Sequence, residues 1–295
     1  MNKNSLTQGP IFKAIVTFSL PLIETNTISI LFHASDVAVL AFFAEGPAVA
    51  AVGACGSLIT LLVSIFTGLA AGANVLISKC IGAQDEKRTK SATGTSLMIG
   101  VISGILLMVV ALIFAKRLLI LMNCQPEVLD MATLYLRIYF LGMPVMMLNN
   151  FALAALRASG DSVRPMYYMI ISGCVNVVAN IFFVTLLNMS VSGVALATVL
   201  SSSLSLVFAL IRLFRGNSLC KIGLQDLKIR KNELFEIVRV GIPTCFCSIF
   251  FYIANVIITS AVNSMSTEAM TANAISGQFD GIIYTVGAAI ASATA

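Results

Sequence analysis

PMYYMIISGCVNVVANIFFVTLLNMSVSGVALATVLSSSLSLVFALI, residues 165–211, runs for 47 positions without a charged side chain. The hydrocarbon core of a bilayer takes about 20 apolar residues of helix to cross. This run is therefore long enough for two crossings and a turn at Leu187-Asn188-Met189-Ser190. No soluble helix or strand needs such a length. The chain reads as an all-α integral membrane protein, and its few polar groups inside apolar segments are where function is expected.

The composition agrees with that reading. Charged residues are 11% of the chain, against roughly 25% in soluble domains, and the mean hydropathy is +0.97. There is no Trp, so anchoring at the membrane surface falls to Tyr and to outward-reaching Lys and Arg. Met1 to Pro10 is polar, and the apolar stretch after it runs far past the core of a leader peptide, so no processed leader is expected. The net charge of +5 does not point to nucleic acid, because the basic residues sit in short loops without interleaved aromatics. Cysteines 55, 80, 124, 174, 220, 245 and 247 are scattered, mostly in apolar segments. That spacing suggests neither a disulfide framework nor a zinc site, so they read as small buried apolar residues.

The charge-poor segments divide into about eight expected spans, at 14–40, 47–78, 92–115, 132–155, 165–187, 191–213, 236–262 and 268–295. Short connections make most successive spans antiparallel neighbours. With the N-terminus inside, all of the 18 basic residues except Lys116, Arg117 and Arg137 fall on the inner side. This is the bias that orients membrane proteins. A multi-pass protein of the cell membrane with a cytoplasmic N-terminus is expected.

The two ends of the chain resemble each other. FKAIVTFSLP at 12–21 and LFEIVRVGIP at 234–243 both reach a proline after an amphipathic opening. GPAVAAVGACGSLITLLVSIFTGLAAGAN at 46–74 shares its Ala spacing and small-residue ends with STEAMTANAISGQFDGIIYTVGAAIASAT at 266–294. A six-span block is therefore expected at 1–214, a basic cytoplasmic linker at 215–235, and the start of a second block at 236–295. Six is even, so the blocks would be parallel repeats, as between the halves of some transporters. The expectation is a partial chain, with about eight spans present of twelve.

Asp36 stands in the apolar run HASDVA at 33–38. A charged Asp at the centre of a membrane helix costs about 2.5–3.5 kcal/mol on insertion scales. Protonation, a bound cation or a wet cavity removes that cost, so Asp36 can exchange a proton or sodium for a substrate; the alternative is an interfacial or structural role. His33 lies one turn away. Asn176 and Asn180 are four apart, on one helix face. Two amide oxygens beside a carboxylate suit a sodium site at Asp36, Asn176 and Asn180 or a proton-linked network, with Thr198 able to complete it. Helix–helix hydrogen bonding is the competing explanation. Tyr139, Asn149 and Asn150 add polarity, Glu24 follows the helix-kinking Pro21, and Asp280 is the acid of the incomplete second block. No hydrolase, nucleotide-binding or metalloenzyme motif is present, and one histidine leaves little material for catalysis, so the chain is read as no enzyme and without a cofactor.

Taken in order, Leu20-Pro21-Leu22, Ser35-Asp36, 68–74 (GLAAGAN) with Ser78 and Gly82-Ala83, 135–138 (YLRI) with Gly142-Met143-Pro144, 157–162 (RASGDS), Asn176, Asn180 and 193–198 (GVALAT) resemble the multidrug and toxic compound extrusion (MATE) family. The resemblance implies two six-span lobes, alternating access, and export of drugs or organic cations by proton- or sodium-coupled antiport. It matches Asp36 to the first-span carboxylate, and Asn176, Asn180 and Thr198 to positions around the N-lobe cation. Some members carry another acid one turn after the second asparagine, where this chain has Val184. Some sodium-coupled members carry an acid early in span seven, where it has Phe251. The resemblance therefore implies proton or sodium without choosing between them.

The expected partners are the bilayer and a small amphiphilic or cationic solute, with the protein a monomer. A flippase for lipid-linked saccharides is the rival transporter reading, and it calls for basic residues within the spans. A non-transporting membrane assembly subunit is the rival of another class.

Overall fold

The computed structural model describes residues 27, 28, 30–44, 47–216 and 220–277. Every regular element in them is helical: α1 (Ile30–Phe43), α2 (Pro47–Gly82), α3 (Glu86–Leu121), α4 (Pro126–Leu141), α5 (Met143–Ala158), α6 (Val163–Ile181), α7 (Val191–Arg215), α8 (Lys231–Asn263) and α9 (267–277). A π-helical turn, Phe182–Leu186, extends α6, and a short 3-10 turn spans Leu224–Asp226.

The turns explain the antiparallel packing. Gln84, Asn123 and Asn188 adopt left-handed backbone (φ 56°, 52° and 51°), as does Gly160 (φ 78°), each just beyond a helix. Such residues reverse the chain within a few positions. Apolar side chains left uncovered lie on outer faces: Ile102, Leu106, Val109 and Ile113 follow one another around α3, each exposed. That is the pattern of a helix facing lipid.

The expectation of about eight spans is corrected here. Among the described residues five helices are long and apolar enough to cross a membrane, or six if α4 and α5 count as one bent span. The described part of the first expected span is the short α1, and the last is described only to Gly277. The segment expected at 132–155 is not one straight helix. It breaks at Gly142 and bends by 51°, where Pro144 cannot donate the backbone hydrogen bond that would carry α4 onward. Other spans are longer than expected, because Lys87, Arg88, Lys90, Lys116 and Arg117 sit on the end turns of α3 rather than in loops. Charged tips at helix ends reach water while their stems stay apolar.

Small residues set the close contacts. An added Cβ at Gly104 would stand 2.5 Å from Pro144 Cα, and one at Gly100 3.2 Å from Leu148 Cα, so α3 receives the start of α5. At Gly72 it would meet the backbone of Gly241, 2.8 Å away, and at Gly68 that of Cys245, which seats α8 on α2. Asn74 and Ser78 of α2 donate to Ala154 O and Ala158 O of α5, at 3.0 and 3.4 Å.

From Cys220 to Arg230 the segment that leads into α8 is a docked strap. Cys220 Sγ donates to Ala155 O (3.3 Å), Thr95 Oγ1 donates to Lys228 O (3.1 Å) and Arg230 N to Thr95 Oγ1 (3.2 Å). At the foot of α8, Ser91 donates to Glu233 (2.9 Å) and Arg88 pairs with Glu236.

Two outcomes follow. Gly104→Leu has no room beside Pro144 and lowers the thermal unfolding midpoint of the purified protein, at a cost of about 1–3 kcal/mol. Gly56→Ala, which meets nothing within 4 Å, leaves the midpoint unchanged or raises it. Burial pushes the Cys220 thiol from its ordinary 9.0 up to about 12. Its folded form holds the proton more tightly, so this contribution to stability is complete below pH 9 and lost as pH rises toward about 12. Unfolding midpoints followed through that window fall more steeply for the parent than for Cys220→Ala.

Candidate functional site

The site begins with a missing side chain. A Cβ at Gly173 of α6 would overlap the ring of Phe32, so α1 lies directly against α6 there. One turn on from Phe32 is Asp36, while Asn176 and Asn180 follow Gly173 on the same face of α6. The close approach brings the carboxylate to the amides.

Asp36 is 6% exposed. Its Oδ1 accepts from Asn180 Nδ2 at 2.5 Å, and the same amide nitrogen lies 3.2 Å from Asn176 Oδ1. Asn176 Nδ2 in turn donates to Thr198 Oγ1 at 3.5 Å, and that hydroxyl donates to Val194 O at 3.0 Å. Asn180 is fully buried, and its own Oδ1 has no hydrogen-bond partner among the described residues. His33 Nδ1 is 3.8 Å from Asp36 Oδ2, beyond direct hydrogen bonding, and its side chain is 57% exposed.

Asp36 opens onto a cavity of about 260 Å³. His33, Tyr139, Asn149, Asn150, Asn176 and Thr198 also line it, and Asn180 stands behind Asp36. The structure thus brings together eight of the nominated residues. Glu24 and Asp280 lie outside the described residues. Tyr139 comes from the last turn of α4 and Met143, Met146 and Met147 from the first of α5, so the bend at Gly142 shapes one wall. Asn149 accepts from Ser205 at 3.1 Å.

The cavity also uses residues not nominated from sequence. Ser201, Ser202 and Ser205 continue the stripe begun by Thr198 at helical spacing, and Ser172 adds a hydroxyl from α6. The signal was present as four hydroxyl residues at i, i+3, i+4 and i+7 of an apolar helix. The methionines carried none, since Met is common in any apolar segment.

Chemically the site is one carboxylate, one imidazole, several amides and hydroxyls, the rings of Phe32 and Tyr139, and soft apolar walls. No Lys or Arg among the described residues lines it. Among the described residues no cluster of His, Cys, Asp or Glu could hold a transition metal. Asp36, Asn176, Asn180 and Thr198 each carry an oxygen, the ligand type of hard monovalent cations, and in this arrangement Asn180 turns its Nδ2 rather than its Oδ1 to Asp36.

The Asp36–Asn180 contact predicts a non-additive pair of substitutions. Asn180→Ala leaves a buried carboxylate without its amide donor and lowers the unfolding midpoint, at a cost of about 1–3 kcal/mol. Asp36→Leu with Asn180→Leu removes both partners and is milder than the two single effects summed, as a double-mutant cycle on unfolding midpoints will show.

Comparison with known proteins adds a family to this geometry. The MatE family model matches residues 21–182. The multidrug export protein MepA of Staphylococcus aureus (strain MRSA252) is 25% identical over 242 residues, which is 82% of this chain and 54% of MepA. The probable multidrug resistance protein YoeA of Bacillus subtilis (strain 168) is 28% identical over 277 residues, 91% of this chain and 59% of YoeA. The chain thus spans little more than half the length of either. A solved inward-facing conformation of a multidrug resistance MATE family transporter of the MOP superfamily superposes with a TM-score of 0.80 at 24% identity, over 92% of this chain and 61% of that one. At that identity the likeness is one of fold.

Proposed function

This chain belongs to the MatE family, and we propose from its site that it serves in secondary active export of amphiphilic organic cations across the cell membrane, by antiport against protons or sodium. The observation that carries this reading is a buried carboxylate facing a cavity that no Lys or Arg among the described residues lines. An anionic solute, such as a lipid-linked saccharide, would meet Asp36 as a like charge. A cationic one would meet it as its counter-charge, with Tyr139, Phe32 and the methionines for its apolar body.

Directionality follows from competition for one charge. A proton or sodium ion taken up at Asp36, with Asn180, Asn176 and Thr198 supplying further oxygens, neutralises the cavity. Two unit charges about 5 Å apart interact by about 3 kcal/mol at an effective dielectric of about 20. Loss of that attraction matches the roughly 1–3 kcal/mol that couples two ligands in allosteric proteins. The solute is then released on the side from which the small ion entered, and the ion gradient drives the cycle. The bend between α4 and α5 offers a joint beside the site at which the cavity can change shape.

The reading places the basic end of the bundle in the cytoplasm. Among the described residues that end carries all the Lys and Arg except Lys116, Arg117 and Arg137, as the orienting rule for basic loops requires. A cytoplasmic N-terminus follows. Residues 1–214 then act as the ion-binding lobe, with the strap at 215–235 leading into the segment at 236–295.

The test is flux of a fluorescent organic cation in proteoliposomes holding the complete gene product, under imposed proton and sodium gradients. Asp36→Asn lowers gradient-driven flux by at least about tenfold, the scale of such coupling energies, whereas Lys116→Ala, far from the cavity, leaves it unchanged. Undiminished gradient-driven flux in Asp36→Asn rules out this role for the residue.

A further inference from the structure

At the opposite end of α7 from its start, Phe208, Ile211, Arg212 and Arg215 stand at i, i+3, i+4 and i+7. That spacing puts the four side chains on one helix face. On the first turns of α6, Tyr168 meets them, its ring centroid 5.6 Å from that of Phe208. These residues and Gly216 line a second cavity, of about 290 Å³, which shares no lining residue with the cavity of Asp36. Nothing in the transport reading uses it.

Its chemistry is divided along the helix axis. Two aromatic rings and Ile211 form the part nearer the middle of the helices, and two guanidinium groups form the part at their end. Among the described residues no acidic residue lines it. The acid on the adjoining turn, Asp161, is taken by Arg164 at 2.5 Å. The cleft opens beside lipid-facing surface, for Val207 and Ile211 of α7 and Tyr167 and Ile171 of α6 are all exposed. It also lies at the end of the bundle that carries the strap, with Lys221, Lys228 and Arg230, and the start of α8 at Lys231.

A ligand that satisfies both parts is anionic at one end, apolar at the other, and arrives from the bilayer. Inorganic phosphate would engage the arginines and leave the aromatic wall unused. We infer that the α6–α7 cleft is a binding site for the headgroup of an anionic phospholipid. Arg212 and Arg215 hold the phosphate, for which the planar guanidinium is well suited. Tyr168 and Phe208 pack against the glycerol and the first carbons of the acyl chains. Basic pockets between spans at the cytoplasmic surface are the setting in which such headgroups are retained. The bound lipid ties the start of α6 to the end of α7, the two helices that carry Asn176, Asn180 and Thr198.

Native mass spectrometry of the purified, delipidated protein offers the test, with phosphatidylglycerol, phosphatidylcholine and inorganic phosphate as probes. Phosphatidylglycerol is retained in preference to phosphatidylcholine, and inorganic phosphate at matched concentration does not displace it. Arg212→Ala with Arg215→Ala weakens retention by about thirtyfold, the loss expected for two interfacial basic residues. Arg212→Lys with Arg215→Lys keeps most of it, and Lys116→Ala with Arg117→Ala, at the other end of the bundle, keeps all of it. Should the double alanine variant fail to fold, Arg215→Glu at an exposed position carries the same expectation of lost retention. Equal retention of the two lipids, equal losses in the two double alanine variants, displacement by phosphate alone, or unchanged retention in Arg215→Glu overturns the assignment.

Discussion

A carboxylate inside a membrane helix has to be answered by something, and here the answer is the Asn180 amide against Asp36. Left alone at such depth, a charged aspartate would cost several kilocalories per mole of insertion energy. The amide is in place because α6 has no side chain at Gly173, so that Phe32 and the helix behind it come close. The same hydrogen bond turns Asn180 Oδ1 away from Asp36, and among the described residues it meets no donor.

The rest of the bundle keeps that arrangement open to a cavity. Gly100 and Gly104 let α5 lie close to α3, and Gly142 lets the α4–α5 bend press against Val199 of α7. With the bend held there, Tyr139 and the methionines after it face Asp36 across the cavity while Thr198 and the serines of α7 face it from another side. At Gly104 the close contact is with the backbone of α5, so there the two helices have little freedom to adjust by side-chain motion alone. A change of cavity shape is more readily absorbed at Gly142, where the backbone ladder is already interrupted. Farther off, the strap from Cys220 to Arg230 is fastened to α3 and α5 by hydrogen bonds.

Much of this was legible in the sequence, for identifiable reasons. The charge-free run at 165–211 gave α6, α7 and the turn at Asn188, because a bilayer punishes charge over a known length. Asn176 and Asn180 share a face because helical geometry requires it. The span count was not legible in the same way. The lysines and arginines bounding α3 looked like loop residues, yet a long side chain can leave the membrane from within a helix, and Gly142-Met143-Pro144 gave a bend inside a segment expected to be straight. The hydroxyl stripe of α7 was hidden for another reason. Serines in membrane helices commonly bond their own backbone, as Ser203 does to Val199 O at 2.7 Å, so a stripe of them need not line anything. The meeting of α1 with α6 rests on one glycine and one phenylalanine far apart in the chain, and no local pattern announces it.

The central claim is that a small cation and an organic cation compete for Asp36. Equilibrium binding of a fluorescent organic cation to the purified parent protein addresses it most directly, measured across the acid-to-neutral range in potassium and in sodium buffers. The account predicts that affinity falls as protons or sodium are added, and that the organic cation weakens binding of the small ion by the same factor. An affinity indifferent to both pH and sodium would contradict it.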